Sequence, residues 1–214
     1  VGLIMSKTAI LIPVKELSEG KSRLSSILSV EQRQLLVMGI LKRVIMASNA
    51  SIASKVIVVG GGDKIKKQTV DMSAIWVNSQ GCDLNSDFLK ALTQLEQDGF
   101  SVVYLPADLP EISKEDINAI LNFSGEEGIF TFVQSSSDGG TNAMVIPKGL
   151  GFKPLLGKDS FNKHIDWVKK SNNRYKIFKP KTLLRDLDTE DDLKYFQEIE
   201  PDFINNIINE IRLI

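Results

Sequence analysis

Three sets of side chains in this sequence have types and spacings suited to handling phosphate. Lys15 ends the run Pro13-Val14-Lys15, and Lys21-Ser22-Arg23 follows within the same polar stretch. Lysine offers a compact point charge and arginine a planar fork, so Lys15, Lys21 and Arg23 together suit a triphosphate. Asp108 stands in Leu105-Pro106-Ala107-Asp108-Leu109-Pro110. The two prolines stiffen this loop, and a carboxylate held there can bind a divalent metal against phosphate oxygens at little ordering cost. Asp186 and Asp188 are alternate residues just before Thr189. On a strand both carboxylates would point to one side and could face the same cleft as Asp108. Mg²⁺ is commonly held by one or two carboxylates plus substrate phosphates, so Asp108 with one of the pair suffices, and spacing does not say which. Each set also has an ordinary reading: solvated loop cations, a turn residue at Asp108, and helix-start acids at Asp186 and Asp188.

Such side chains are useful only if the fold brings distant loops together. The short apolar run 8–14 predicts a buried central strand. Further strands are expected at 55–59, 74–77, 101–105 and 129–134, with helices at 30–47, 84–97 and 114–122 and a lysine-rich helical stretch between the second and third strands. Ser29 with Gln32 makes a capping box for the first helix, and Ser113 caps the helix from Lys114. Alternation of this kind predicts an α/β fold: a mostly parallel sheet flanked by helices on both faces, with ligands beyond the strand carboxyl ends. After Gln134 the rhythm breaks. A turn over 135–140 leads to a strand at 143–146, a helix at 160–170, strands near 175–178 and 183–187, and helices at 190–199 and 202–211.

A length of 214 residues with 43% hydrophobic composition fits one domain with a continuous core. The 26 basic and 27 acidic residues nearly cancel, which gives no general attraction to nucleic acid and favours a small-molecule partner. Cys82 is the single cysteine; it has no internal disulfide partner and reads as a small loop residue in a reducing compartment. The run 10–14 is too short for a signal core or a membrane span, so a soluble, cytoplasmic protein is expected, without a membrane partner and with room for a homodimer.

Five stretches carry a resemblance: Pro13-Val14-Lys15 with Lys21-Ser22-Arg23-Leu24, Leu105 to Pro110, Gly139-Gly140-Thr141-Asn142-Ala143, Gly157-Lys158-Asp159-Ser160-Phe161, and Asp186-Leu187-Asp188-Thr189. In order and spacing they resemble the 2-phospho-L-lactate guanylyltransferase family, which includes phosphoenolpyruvate guanylyltransferases and acts in coenzyme F-420 biosynthesis. The resemblance implies a GT-A-like, Rossmann-like nucleotidyltransferase fold and transfer of GMP from GTP to a small phosphorylated acid. It implies Mg²⁺ on Asp108 and Asp188, with Asp186 as a further ligand. Thr141, Gly157 and Ser160, with Asn142 in the same motif, would bind the acid, and Lys15, Lys21 and Arg23 would face the nucleotide phosphates. The single domain then divides into a nucleotide-binding part (about 1–134), an acceptor-binding part (about 135–189) and C-terminal helices (190–214).

Two departures stand out. Glu190 occupies a place where such families usually have proline, and the first loop is cationic where many sugar nucleotidyltransferases are glycine-rich. The second argues against the rival readings with a sugar phosphate or molybdopterin as acceptor. Acids in two separate segments argue against a non-catalytic nucleotide-binding module. The acceptor stays open among 2-phospho-L-lactate, phosphoenolpyruvate and 3-phosphoglycerate, and no residue is assigned to the guanine base. His164, the single histidine, is expected to be structural or solvent-facing, and Gly60 to Gly62 serve either the nucleotide or a strand-end turn.

Overall fold

A computed structural model describes residues 7–80, 83–125 and 128–212; Cys82 lies outside them. Seven strands form one sheet in the order β3-β2-β1-β4-β6-β5-β7. They are β1 (Thr8–Val14), β2 (Lys55–Gly60), β3 (Ile75–Val77), β4 (Ser101–Tyr104), β5 (Ile129–Gln134), β6 (Thr141–Ile146) and β7 (Arg174–Ile177). Only β6 runs against the rest, pairing antiparallel with both β4 and β5. The expected α/β architecture is therefore present: a mostly parallel sheet between two helical layers.

Seven helices cover it: α1 (Val30–Asn49), α2 (Gly62–Asp71), α3 (Leu84–Gln97), α4 (Lys114–Ser124), α5 (Ser160–Lys170), α6 (Glu190–Ile199) and α7 (Phe203–Arg212). Alternation along β1 divides the core. Ile10, Ile12 and Val14 point to one face with α1, α2, α4, α6 and α7, while Ala9 and Leu11 point to the other with α3 and α5. Both faces of β1 are dry, which is why its sequence is continuously apolar. The capping box at Ser29 forms as expected, and Ser113 caps α4 as expected, there closing a box with Asp116. Among the described residues no helix is long and apolar enough to cross a membrane.

The strand expected over 183–187 does not form. Lys181–Leu183 is a 3-10 turn, and the chain then runs in an irregular path to Thr189. Leu183 and Leu187 are both fully buried, which a strictly alternating strand would also allow, but the backbone groups go elsewhere. The Leu184 carbonyl accepts from the Ser136 N–H at 2.7 Å and the Leu187 N–H donates to the Asp108 carbonyl at 3.0 Å. Backbone groups that a ladder would use instead tie loops at the sheet's carboxyl end. A second difference is that β6 begins at Thr141, so Thr141 and Asn142 lie in a strand.

Helix α1 meets α7 at Gly39. A Cβ there would overlap the Ile207 side chain and stand 2.9 Å from the Ile207 carbonyl oxygen. Glycine thus sets how closely α7 docks. Gly39→Ala should force α7 outward and cost about 1–3 kcal/mol, read as a lowered midpoint in thermal or urea unfolding; an unchanged midpoint would show that α7 is not docked on α1 in this way.

Candidate active site

The site lies beyond the carboxyl ends of β1 and β4. Two 3-10 turns, Leu17–Glu19 and Ser22–Leu24, shape the loop after β1, and the buried Leu17 and Leu24 anchor it to the core. Between them Lys21 adopts a left-handed conformation (φ 52°, ψ 39°), which is unfavourable for a residue with a Cβ by roughly 1–2 kcal/mol. Two ion pairs hold it there. Its Nζ is 2.8 Å from Asp108 Oδ2 and 2.7 Å from Asp188 Oδ1. The Lys21 side chain is only 7% exposed; burial works against its charge, but attraction to Asp108 and Asp188 outweighs it, and the ammonium titrates well above the ordinary lysine range.

Asp108 sits between the fully buried Leu105 and Leu109, so its loop cannot drift. The loop carrying Asp186 and Asp188 is fixed from both sides. Ahead of it is the Leu187 to Asp108 backbone bond, and behind it the buried Asp192 accepts from the backbone N–H groups of Asp188 and Thr189 at 3.2 and 2.9 Å. Thr189 completes a capping box with Asp192 at the start of α6. Glu190, which stands where proline was expected, accepts a hydrogen bond from the Ser26 hydroxyl and so ties α6 to the first loop.

One oxygen from each of Asp108, Asp186 and Asp188 lies within 4.8 Å of the others. Asp186 and Asp188 thus both approach Asp108, although an irregular loop and not a strand carries them. Asp186 is the most buried of the three. Its Oδ1 accepts from Ser135 Oγ at 2.9 Å and Asn142 Nδ2 at 3.3 Å. Burial, reinforced by the charge on Asp108 and only partly offset by Ser135, pushes its carboxyl up to about 6.

These acids fit a divalent cation. Asp108 Oδ1 is buried with no hydrogen-bond partner, and a desolvated carboxylate oxygen left unpaired beside two further carboxylates is costly unless a cation completes it. Lys21 uses Oδ2 of Asp108 and leaves this oxygen open.

Lys15, Lys21, Arg23, Asp108 and Asp188 line one cleft of about 290 Å³. Arg23 is exposed, 3.9 Å from Asp188, and Lys15 is exposed at the mouth. Thr141 and Asn142, adjacent on β6, point to opposite faces of the sheet. Asn142 reaches Asp186, while Thr141 meets α5, where Ser160 Oγ donates to Thr141 Oγ1 at 3.2 Å. Ser160 is the first helical residue and not the cap; the cap is Asp159, left-handed and with no side-chain bond to the helix backbone. The Ser160 and Phe161 N–H groups are taken by the carbonyls of Gly157 and Gly139, so the side chains carry more of any recognition than the helix start does. Gly157 has φ +117° with open space around it, a conformation suited to glycine that bares its backbone. Gly60, Gly61 and Gly62 all have positive φ at the end of β2, and Gly60 accepts from the Trp76 indole N–H at 2.8 Å.

Sequence reasoning passed over Ser135 and the contact of His164 with Thr141. His164 follows Ser160 by four residues, the spacing that places two side chains on one helix face, and this signal was available. Ser135 reaches Asp186 only through the hairpin geometry, and nothing in its local sequence marks it.

The seven-stranded, mostly parallel sheet with one reversed strand is the nucleotide-diphospho-sugar transferase fold shared with solved nucleotidyltransferases. One from Methanothermobacter thermautotroptrophicus superposes with a TM-score of 0.66 at 13% identity, over 94% of this chain and 99% of that one. The profile of the guanylyl transferase CofC-like family matches residues 8–199, and the chain belongs to that family. It is 30% identical over 184 residues to the phosphoenolpyruvate guanylyltransferase of Roseiflexus sp. strain RS-1, covering 86% of this chain and 82% of that one. It is 29% identical over 185 residues to the 2-phospho-L-lactate guanylyltransferase of Methanocaldococcus sp. strain FS406-22, covering 86% and 78%.

The raised carboxyl of Asp186 fixes the sign of a pH effect. Its ordinary value is 3.8 and its folded value about 6, so the stability linked to its proton is complete below about 4 and is lost as pH rises through 6. Asp186→Asn should therefore stabilise the metal-free protein at pH 7.5 by on the order of 1–3 kcal/mol, a gain that disappears by pH 4. His164, pushed down to about 4 by burial and then by Lys163, contributes the opposite slope but is common to both proteins. Thermal melts in chelator across this range check it; a midpoint difference independent of pH would contradict the assignment.

Proposed function

We propose that this chain is a Mg²⁺-dependent guanylyltransferase of the cytoplasm that transfers GMP from GTP to phosphoenolpyruvate or 2-phospho-L-lactate, releasing pyrophosphate, in coenzyme F-420 biosynthesis. The observation that carries the reading is the convergence of three carboxylates on a cationic loop, in a chain of the guanylyl transferase family. An oxygen of the acid's phosphate attacks the α-phosphorus of GTP; the bond from that phosphorus to the bridging β-oxygen breaks, and pyrophosphate leaves with its electron pair. The attacking phosphate is already ionised near neutral pH, so no general base is required.

Asp108, Asp186 and Asp188 would hold the Mg²⁺, which when bound neutralises phosphate charge and polarises the phosphorus centre. Lys15 and Arg23 at the cleft mouth receive the triphosphate. Lys21 keeps the carboxylates together and presents its charge at the transferring phosphate. Thr141, Ser160 and the backbone at Gly157 bind the acid, with Asn142 holding Asp186. Catalysis then comes from positioning and electrostatics arranged before the substrates arrive.

Pyrophosphate release should require Mg²⁺, GTP and one of these acids together, with ATP, CTP and UTP turned over more slowly; equal rates with CTP would move the chain to another branch of the fold. Asp108→Asn should remove activity by at least about 10²-fold, the scale of losing a preorganised electrostatic contact, while leaving the circular-dichroism spectrum unchanged. Near-normal turnover in that variant would sink the metal assignment.

A further inference from the structure

His164 has no task in the mechanism above, yet it is fully buried in α5 and both ring nitrogens are engaged. Nε2 lies 3.0 Å from the Leu155 backbone nitrogen. An amide N–H can only donate, so Nε2 must accept and carries no proton. The remaining proton of a neutral imidazole is then on Nδ1, which faces Thr141 Oγ1 at 3.0 Å. Ser160 Oγ donates to the same oxygen. A hydroxyl oxygen has two lone pairs and one proton. Both lone pairs of Thr141 are filled, and its proton is the part left over.

We propose that His164 is a positioning residue that fixes the direction of this hydrogen-bond chain, so that Thr141 can only donate to the bound acid. The Thr141 contact then requires an accepting oxygen, which an ionised phosphate or carboxylate always offers, and gives nothing to a substrate group that can only donate. This rests on the assignment of Thr141 and Ser160 to the phosphorylated acid. The ring is also held in place. Phe132 of β5 and Phe152 flank it at centroid distances of 6.1 and 5.4 Å, and Leu155 belongs to the segment that leads to Gly157. Burial keeps the imidazole neutral, as the chain of donors requires.

A structural role confined to pinning Leu155 predicts different behaviour, and two substitutions separate the readings. In His164→Asn the carboxamide nitrogen reaches the Nδ1 position and can donate to Thr141, while the contact to Leu155 is lost. In His164→Gln the carboxamide reaches the Nε2 position and can accept from Leu155, while the donor to Thr141 is lost. With phosphoenolpyruvate, or whichever acid turns over, His164→Gln should raise the KM for the acid about 5- to 10-fold and leave the KM for GTP unchanged. His164→Asn should stay within about 2- to 3-fold of the parent. The reverse ranking, or equal rises in both KM values, would overturn the proposal.

Should the variants fold poorly, the unaltered protein decides. With a single histidine in the chain, its imidazole ¹⁵N spectrum reports one ring, and the proton is expected on Nδ1. A proton on Nε2 would overturn the inference whatever the kinetics. Thr141→Val separates this from the underlying assignment. An unchanged KM for the acid in that variant would remove Thr141 from the acid site even with the tautomer as expected; a raised KM to which His164→Gln adds nothing supports both.

Discussion

Three carboxylates converging within 4.8 Å repel one another, and much of the structure around them serves to keep them there. Lys21 is the main counterweight. Its ammonium joins Asp108 to Asp188, which come from loops eighty residues apart in sequence, and it does so from a left-handed backbone that a lysine would otherwise avoid. One buried cation does not neutralise three acids. Burial and then the charge on Asp108 raise the carboxyl of Asp186, and Asp108 keeps a buried oxygen without a partner; together they mark where a further positive charge is wanted. A left-handed lysine beside a buried carboxylate oxygen without a hydrogen-bond partner is what a site prepared for a cation and phosphates would show.

The reversed strand β6 organises the rest. Because neighbouring residues on a strand face opposite ways, Thr141 and Asn142 send one contact toward α5 and one toward Asp186. A single strand end thereby touches both halves of the site, and a shift of one residue in its register would exchange the two. The register is protected by pairing on both sides, with β4 and with β5, and by an irregularity between Val133 and Gln134 that brings Gln134 opposite Thr141. The antiparallel strand is thus the element that couples the acidic cluster to the buried polar side chains of α5.

Legibility in the sequence followed the range of the interactions. The strands 8–14 and 129–134, the capping box at Ser29 and the N-cap at Ser113 depend on contacts a few residues apart, and local pattern was enough to place them. The strand expected at 183–187 failed because its apolar residues resemble a strand while its backbone bonds go to Asp108 and Ser136, far away in sequence. Asp186 and Asp188 were nonetheless identified, since acids ahead of a helix cap are informative whichever backbone carries them. Lys21 was expected to meet a triphosphate, and its embrace by two carboxylates could not be read from spacing. His164 illustrates a different limit: helical spacing put it beside Ser160, but its meaning depends on Leu155 and Thr141, which only the folded chain brings to its two nitrogens.

The last elements of the chain serve the site without entering it. Asp192 in α6 is buried because it caps its own helix, accepts from the backbone that follows Asp186, and pairs with Arg185 at 3.4 Å. The Arg185 guanidinium in turn lies 4.1 Å from the Tyr195 ring centre. These contacts convert the irregular loop 184–189 into a rigid support, as a carboxylate cluster demands: if Asp186 and Asp188 could relax apart, their repulsion would be relieved by motion and not by a bound cation. Helix α7 then presses on α1 at Gly39, and α1 packs against the first loop that carries Lys21. The C-terminal helices thereby brace both the acidic and the basic side of the cleft, which gives a physical reason for their position on the sheet face opposite α3 and α5.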